Sequence, residues 1–374
     1  MVWSKYTVLA VFVAAVVIAL LVALNTAQRA ETIKIGTDYA LTGNLARYGD
    51  WATRGINLAA EEINSQGEIN GEHVEIIFED SKGQPSDAVT AYNKLKNVDG
   101  VKYVITFQSS VALAVAKLAN EDKIVQMDVS ATTPSYSTPD DYTFRSGIVA
   151  TQLAKESADV LFNKLNATKA GILYINNDFG RGMLNVFKNS YKGEIAAEES
   201  FDQDTSDFRT QLLKLKEANV STIFLVSHIK EGGILVRQAR EMGLNAKFFS
   251  DVYSVEGPEF INTAKDAAEG IIYVSPKFDV NGTDPAVSSF VTRYREKYGE
   301  EPVVFAAQAY DGLIALAKAL KNCKYEDTDC VRQELMKLDM EGASGHIKFD
   351  INGDVQKPVE LKIISNGTYM TYGG

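Results

Sequence analysis

Cysteine and histidine are scarce in this 374-residue chain, with two of the first and three of the second. Cys323 and Cys330 lie in KNCKYEDTDCVR with no histidine nearby, so they supply only half of a zinc shell. His73, His228 and His346 are too dispersed to match a metal-binding spacing. Phosphate-cradling glycine loops are missing as well: the turn after the first apolar run reads GTDYALTG at 36–43, which is no G-x-G-x-x-G. The chain also lacks a G-x-x-x-x-G-K-S/T loop and a G-x-S-x-G elbow. Carboxylates are plentiful, but Glu61-Glu62 and Asp140-Asp141 read as solvated surface. These absences remove the usual supports for an enzyme, a metal or a cofactor, and none is expected. Positive charge is in deficit too. Thirty-eight Lys and Arg against 49 Asp and Glu leave a net charge of −11, which argues against a nucleic-acid partner.

Charge is also absent from the stretch between Lys5 and Arg29, where Thr7 to Leu24 is almost wholly apolar. Signal-peptide cores usually run about 7–15 residues, and about 18 or more suggest a spanning helix. No cysteine follows, which excludes a bacterial-type lipoprotein anchor. Residues 1–30 read as an export signal, either a cleaved signal peptide or an anchor retained through helix 7–24, with the anchor favoured. Everything from Glu31 onward is then extracytoplasmic, in the periplasm or on the outer cell surface. In such an oxidising compartment Cys323 and Cys330 are expected to form a local disulfide, worth about 2–3 kcal/mol.

From residue 32 strand and helix patterns alternate. Apolar runs at 32–38, 73–79, 101–107 and 124–129 read as buried parallel strands. The helix between the first two places Trp51, Gly55, Leu58, Ala59 and Ile63 on one face. The same grammar restarts with strands at 170–175, 194–200, 221–226 and 247–251, and further helices follow near 285–298 and 303–321. The C-terminus carries two Asn-Gly turn signals, in HIKFDINGDV and VELKIISNGTYM, and reads as an antiparallel piece. The fold class is therefore α/β, with two doubly wound lobes and a ligand cleft between them.

The segment ETIKIGTDYALTGNLARYGDWATRGINLAAEEIN resembles the opening of the leucine/isoleucine/valine-binding proteins, solute receptors of branched-chain amino acid ABC importers. The similarity continues through FEDSKGQPSDAVTAYNKL, SATTPSYS, YTFRSG, NNDFGRG, TSDFRTQLLKLK, GGILVRQAREMGL and FAAQAYDGL, and so covers Glu31 to the C-terminus. The resemblance implies a type I periplasmic-binding-protein fold with three hinge crossovers. One lobe would comprise 31–147 plus 277–335, and the other 148–276 plus 336–374. It implies a monomer that closes on an amino acid, branched-chain or otherwise apolar, and delivers it to the membrane permease of an ABC importer. A receptor for an amide, urea or aromatic acid, or a sensory input to a partner protein, stays open as the alternative.

Site residues follow from the same resemblance. Tyr48 and Phe305 match apolar wall positions, and Ser110 matches the serine that receives the ligand carboxylate, with Ser109 as the alternative one place away. Ser130 and Thr132, in SATTP, match positions that hold the amino-acid backbone. From the second lobe, Phe179 stands where the family usually has tyrosine, and His228 where many members have a closing aromatic residue. Asp251 is the candidate partner of the ligand ammonium, although Val252 takes the strict family position.

Overall fold

The computed structural model describes residues 32–67 and 69–373. The expected export segment 1–30 lies outside the described residues. Among the described residues no helix is long and apolar enough to cross a membrane.

The first four predicted strands form at β1 (Ile33–Tyr39), β2 (Val74–Asp80), β3 (Tyr103–Thr106) and β4 (Val125–Asp128). A fifth, β5 (Thr143–Arg145), has only three residues and carries no periodic signal of its own. All pair in parallel in the order β2-β1-β3-β4-β5. The crossovers are helices α1 (Ala46–Ser65), α2 (Pro85–Lys94) and α3 (Ser109–Asp122). Trp51, Gly55, Leu58, Ala59 and Ile63 are all buried, so the predicted apolar stripe of α1 faces the core.

A second sheet repeats the plan. It contains β6 (Lys169–Ile175), β7 (Glu194–Phe201), β8 (Thr222–Val226), β9 (Lys247–Asp251) and β10 (Ile272–Pro276). The order β7-β6-β8-β9-β10 is the same 2-1-3-4-5 arrangement, extended by the antiparallel strands β13 (Val359–Ser365) and β14 (Thr368–Thr371). The β13–β14 turn uses Asn366 and Gly367, both at positive φ (50° and 69°), the backbone a tight hairpin needs. Its helices are α4 (Ala150–Asp159), α5 (Asp178–Ser190), α6 (Arg209–Glu217), α7 (Ile229–Glu241), the single turn α8 (Val252–Val255) and α9 (Pro258–Ala264).

The chain returns to the first lobe through α10 (Pro285–Tyr298), α11 (Val304–Leu320) and α12 (Thr328–Lys337). Cys323 and Cys330 are bonded across the α11–α12 connection. The hairpin β11 (Asp339–Gly342) and β12 (Gly345–Lys348) was expected in the second lobe, but it packs on the first. The Asp311 carboxylate on α11 accepts the Ala343 and Ser344 amides at 2.7 Å, and the Gly353 carbonyl accepts the Arg145 amide at 2.9 Å. We therefore place the third crossover between Val355 and Val359 rather than at 335–336. It runs beside the other two: the Lys277 amide donates to the Pro358 carbonyl at 2.8 Å, and the Lys357 amide to Gln152 at 3.1 Å.

A buried ionic cluster braces these crossings. Arg145, fully buried at the end of β5, pairs through Nε with Asp354 at 2.5 Å. Its Nη1 donates to the carbonyls of Ala131 (2.8 Å) and Thr133 (3.0 Å), and its Nη2 to the Ser137 hydroxyl at 2.9 Å. The Lys357 ammonium lies beside Asp311 and donates to the Ser344 carbonyl and hydroxyl at 3.2 and 3.0 Å. Every donor and acceptor named here has a partner, as burial of charge requires.

Candidate functional site

In a doubly wound sheet, neighbouring crossovers on either side of the first strand leave in opposite directions, which opens a crevice beyond the carboxyl ends of the strands. Here that point lies between β1 and β3 in one lobe and between β6 and β8 in the other. The two crevices face each other and enclose a cavity of about 20 Å³, room for roughly one water molecule. The first lobe lines it with Ala40 and Leu45 after β1, Tyr48 on α1, Phe107, Gln108 and Ser109 after β3, and Ser130 after β4. Phe179, His228 and Tyr253 close it from the second.

The loop after β1 is held by Asp80, at the end of β2. Its Oδ1 accepts the amides of Leu41 (2.9 Å), Thr42 (3.3 Å) and Lys82 (2.9 Å), and its Oδ2 accepts the Thr42 hydroxyl at 2.5 Å. Burial alone would raise the pKa of this carboxyl, but these donors outweigh it and hold the group below its usual value. The junction before α3 turns on Gln108, whose φ of 91° is rare for a non-glycine residue and costs about 1–3 kcal/mol. Two cross-strand contacts support it. The Gln108 amide donates to the Ser130 hydroxyl at 3.1 Å, and the Ser109 hydroxyl accepts the Thr132 and Thr133 amides at 3.1 and 3.3 Å.

The apolar wall is a run of aromatic rings. Tyr48 meets Trp51, Phe305 and His228 edge-on at 5.7, 5.6 and 5.9 Å, and Phe107 at 6.0 Å in a tilted arrangement. Phe305 stacks on Trp51 at 5.8 Å and tilts against Tyr253 at 5.1 Å, so it backs the wall without reaching the cavity. His228 stacks on Phe179 at 5.6 Å with the rings 19° apart. Burial pushes His228 down to about 4, so the imidazole is neutral near pH 7 and behaves as another ring. The Tyr48 hydroxyl spans the cleft. It accepts the Ile229 amide at 3.0 Å, at the start of α7, and donates to the Tyr253 carbonyl.

Five of the sequence-derived candidates therefore meet around one space or directly behind it: Tyr48, Ser130, Phe179, His228 and Phe305. Three stand elsewhere. Ser110 points away from the cavity, and its hydroxyl accepts the Asp178 amide across the lobes at 3.4 Å, while Ser109 lines the cavity in its place. Thr132 is fully buried behind the cavity, its hydroxyl has no partner among the described residues, and its carbonyl accepts the Ala150 amide at 2.8 Å. Asp251 is not in the lining. It caps α8, accepting the Tyr253 amide at 2.9 Å and the Ser254 hydroxyl at 3.0 Å, because the turn after β9 leaves those donors without helical partners. Both oxygens are thus engaged. Sequence reading missed Leu45, Phe107, Gln108 and Tyr253; the first three flank the crevice that strand order alone would have marked.

Buried carboxyls beneath the site make the fold pH-sensitive. Burial, reinforced by Glu79, Asp80 and Asp128, pushes Asp38 up to about 8, and burial pushes Asp251 up to about 7. Unfolded, these groups lose their protons near pH 4, so between 4 and their folded values the native protein binds more protons than the unfolded chain. Stability must then fall as pH rises through that window. His228 opposes this only below about 6.5, and Lys357, pushed down by burial to about 8, only above that value. The thermal midpoint is expected to be higher at pH 6.5 than at 7.5, and Asp38→Asn should remove at least half of the difference. A midpoint that rises with pH in scanning calorimetry would contradict this assignment.

Comparison with known proteins agrees with this geometry. The model of the periplasmic binding protein family matches residues 32–360. The leucine-, isoleucine-, valine-, threonine- and alanine-binding protein of Pseudomonas aeruginosa is 28% identical over 333 residues, covering 87% of this chain and 88% of the relative. The crystal structure of the branched-chain amino acid transporter substrate-binding protein LivJ of Streptococcus pneumoniae, in complex with isoleucine, superposes with a TM-score of 0.84 at 30% identity, over 91% of this chain and 98% of that one. A leucine-binding protein from Thermotoga maritima gives a TM-score of 0.86 at 26% identity, over 91% of this chain and 98% of its own.

Proposed function

The chain belongs to the periplasmic binding protein family, and from that membership we propose that it is the solute receptor of an ABC importer, binding a branched-chain or other apolar amino acid by lobe closure. Its place is extracytoplasmic. The observation that carries the reading is the convergence of both crevices on one cavity with aromatic walls and a floor of hydroxyls and amides. Such a lining desolvates an aliphatic side chain and hydrogen-bonds a polar head, while no side-chain acid or base is poised on the cavity to transform it. Relatives named for leucine, isoleucine and valine support the choice of ligand. The closed form would be what the permease reads, from a monomeric receptor held near it by the N-terminal segment 7–24.

The commitment of Asp251 to a helix cap favours one second reading, a ligand without an ammonium such as an amide, urea or an aromatic acid. Isothermal titration calorimetry of the full-length protein with the common amino acids, urea, short amides and aromatic acids separates the two. Saturable one-site binding of an apolar amino acid, recovered unchanged, is the expected result. Binding of only an acid or an amide would replace it with the second reading.

A further inference from the structure

The two bonds made by the Tyr48 hydroxyl show what the second lobe offers to a polar group. The Ile229 amide opens the 13-residue helix α7 and is free to donate, and the Tyr253 carbonyl, one turn element away, is free to accept. A phenol satisfies both because it is donor and acceptor at one atom. Nothing else in the lining competes for a cation: the acid at the end of β9 is saturated by its own cap, and His228 is neutral. The ring that carries this hydroxyl also fills the cavity, which is left with about 20 Å³. No amino acid fits beside it in that position.

We propose that the Tyr48 hydroxyl occupies the head-group subsite of the second lobe, and that the ligand is a molecule presenting a hydrogen-bond acceptor and a donor on adjacent groups, which takes the Ile229 amide and the Tyr253 carbonyl over from it. Within the amino-acid reading above, on which this rests, the carboxylate goes to the Ile229 amide, where the helix start favours negative charge, and the ammonium goes to the Tyr253 carbonyl. Tyr48 is then a specificity-determining residue that every ligand has to displace. A molecule with only one of the two groups leaves either an amide or a carbonyl buried and unpaired, which is a costly arrangement.

The test compares wild-type protein with Tyr48→Phe, which keeps the ring and removes the competing hydroxyl. Calorimetric titrations use leucine, 4-methylpentanoate (acceptor only) and 3-methylbutylamine (donor only). Leucine is expected to bind the variant roughly three- to tenfold more tightly than wild type, and each half-ligand at least about tenfold more weakly than leucine in both proteins. Leucine affinity that is unchanged or lower in the variant overturns the displacement. Equal binding of 4-methylpentanoate and leucine overturns the role of the Tyr253 carbonyl. If neither protein binds leucine, the amino-acid reading falls and takes the ligand class with it. Small-angle scattering of the ligand-free proteins then decides the role of the hydroxyl alone: a larger radius of gyration for Tyr48→Phe supports its hold across the cleft, and equal radii refute it.

Discussion

Replacing Arg145 by alanine is expected to destabilise the protein by about 3–5 kcal/mol, the cost of removing one partner from a buried ion pair. The guanidinium is fully buried, and it is the shared donor for Asp354, Ser137 and the carbonyls of Ala131 and Thr133. Truncation strands all four. Burial already raises the pKa of the Asp354 carboxyl even with Arg145 beside it, so without that cation it would be held protonated or left as an unpaired charge. Because Ala131 and Thr133 flank Thr132 and follow Ser130, the loop on the cavity floor should loosen together with the crossings. Urea unfolding measures the loss. Arg145→Lys, which keeps the charge but not the fork, should recover only part of it. A midpoint within 0.5 kcal/mol of wild type for the alanine variant would mean that the cluster is not the brace it resembles.

A second large effect is expected at Gly55. A Cβ built there would lie 2.1 Å from the Ala306 carbonyl oxygen and 3.2 Å from the Ala306 Cα, so α1 and α11 cross with backbone against backbone. No side-chain rotation relieves such a contact; one helix has to move. Gly55→Val should cost at least the upper end of the about 1–3 kcal/mol typical of overpacking. It should also reach the site, because Trp51 and Phe305, on the same two helices, stack at 5.8 Å behind Tyr48. An affinity loss of about tenfold or more, equivalent to about 1.4 kcal/mol, is expected in titrations at a temperature where the variant is still folded. Wild-type stability for Gly55→Val would refute the close crossing.

Long periodic elements were legible in the sequence because their apolar pattern is also their burial pattern. The stripe on α1 and the runs that became β1 and β6 are buried as read. Short elements were not: β5 and the β11–β12 hairpin owe their conformation to partners far away in the chain, and this displaced the expected third crossover by about twenty residues. In the site, aromatic residues were easier to place than polar ones. Phe179 and Phe305 can only serve as apolar surface, whereas a serine or an aspartate serves equally well as a ligand contact or a helix cap. Which of Ser109 and Ser110 faces the cavity, and whether Asp251 is spent on Tyr253 and Ser254, depends on about one residue of register. Resemblance in sequence does not fix that offset.

The three crossings that run side by side through 145–150, 276–285 and 355–359 also have a kinematic meaning. A single strand between two bodies is a ball joint, leaving them free to twist, slide and bend independently. Three strands spread along one edge and tied to one another by hydrogen bonds act as a door hinge, so rotation about a single axis is the one soft motion left. Whatever occupies the cavity is then reported outside as one number, the angle of that rotation. A partner reading the two lobe surfaces needs no contact with the cargo, and cargoes that stop the door at the same angle would be indistinguishable to it.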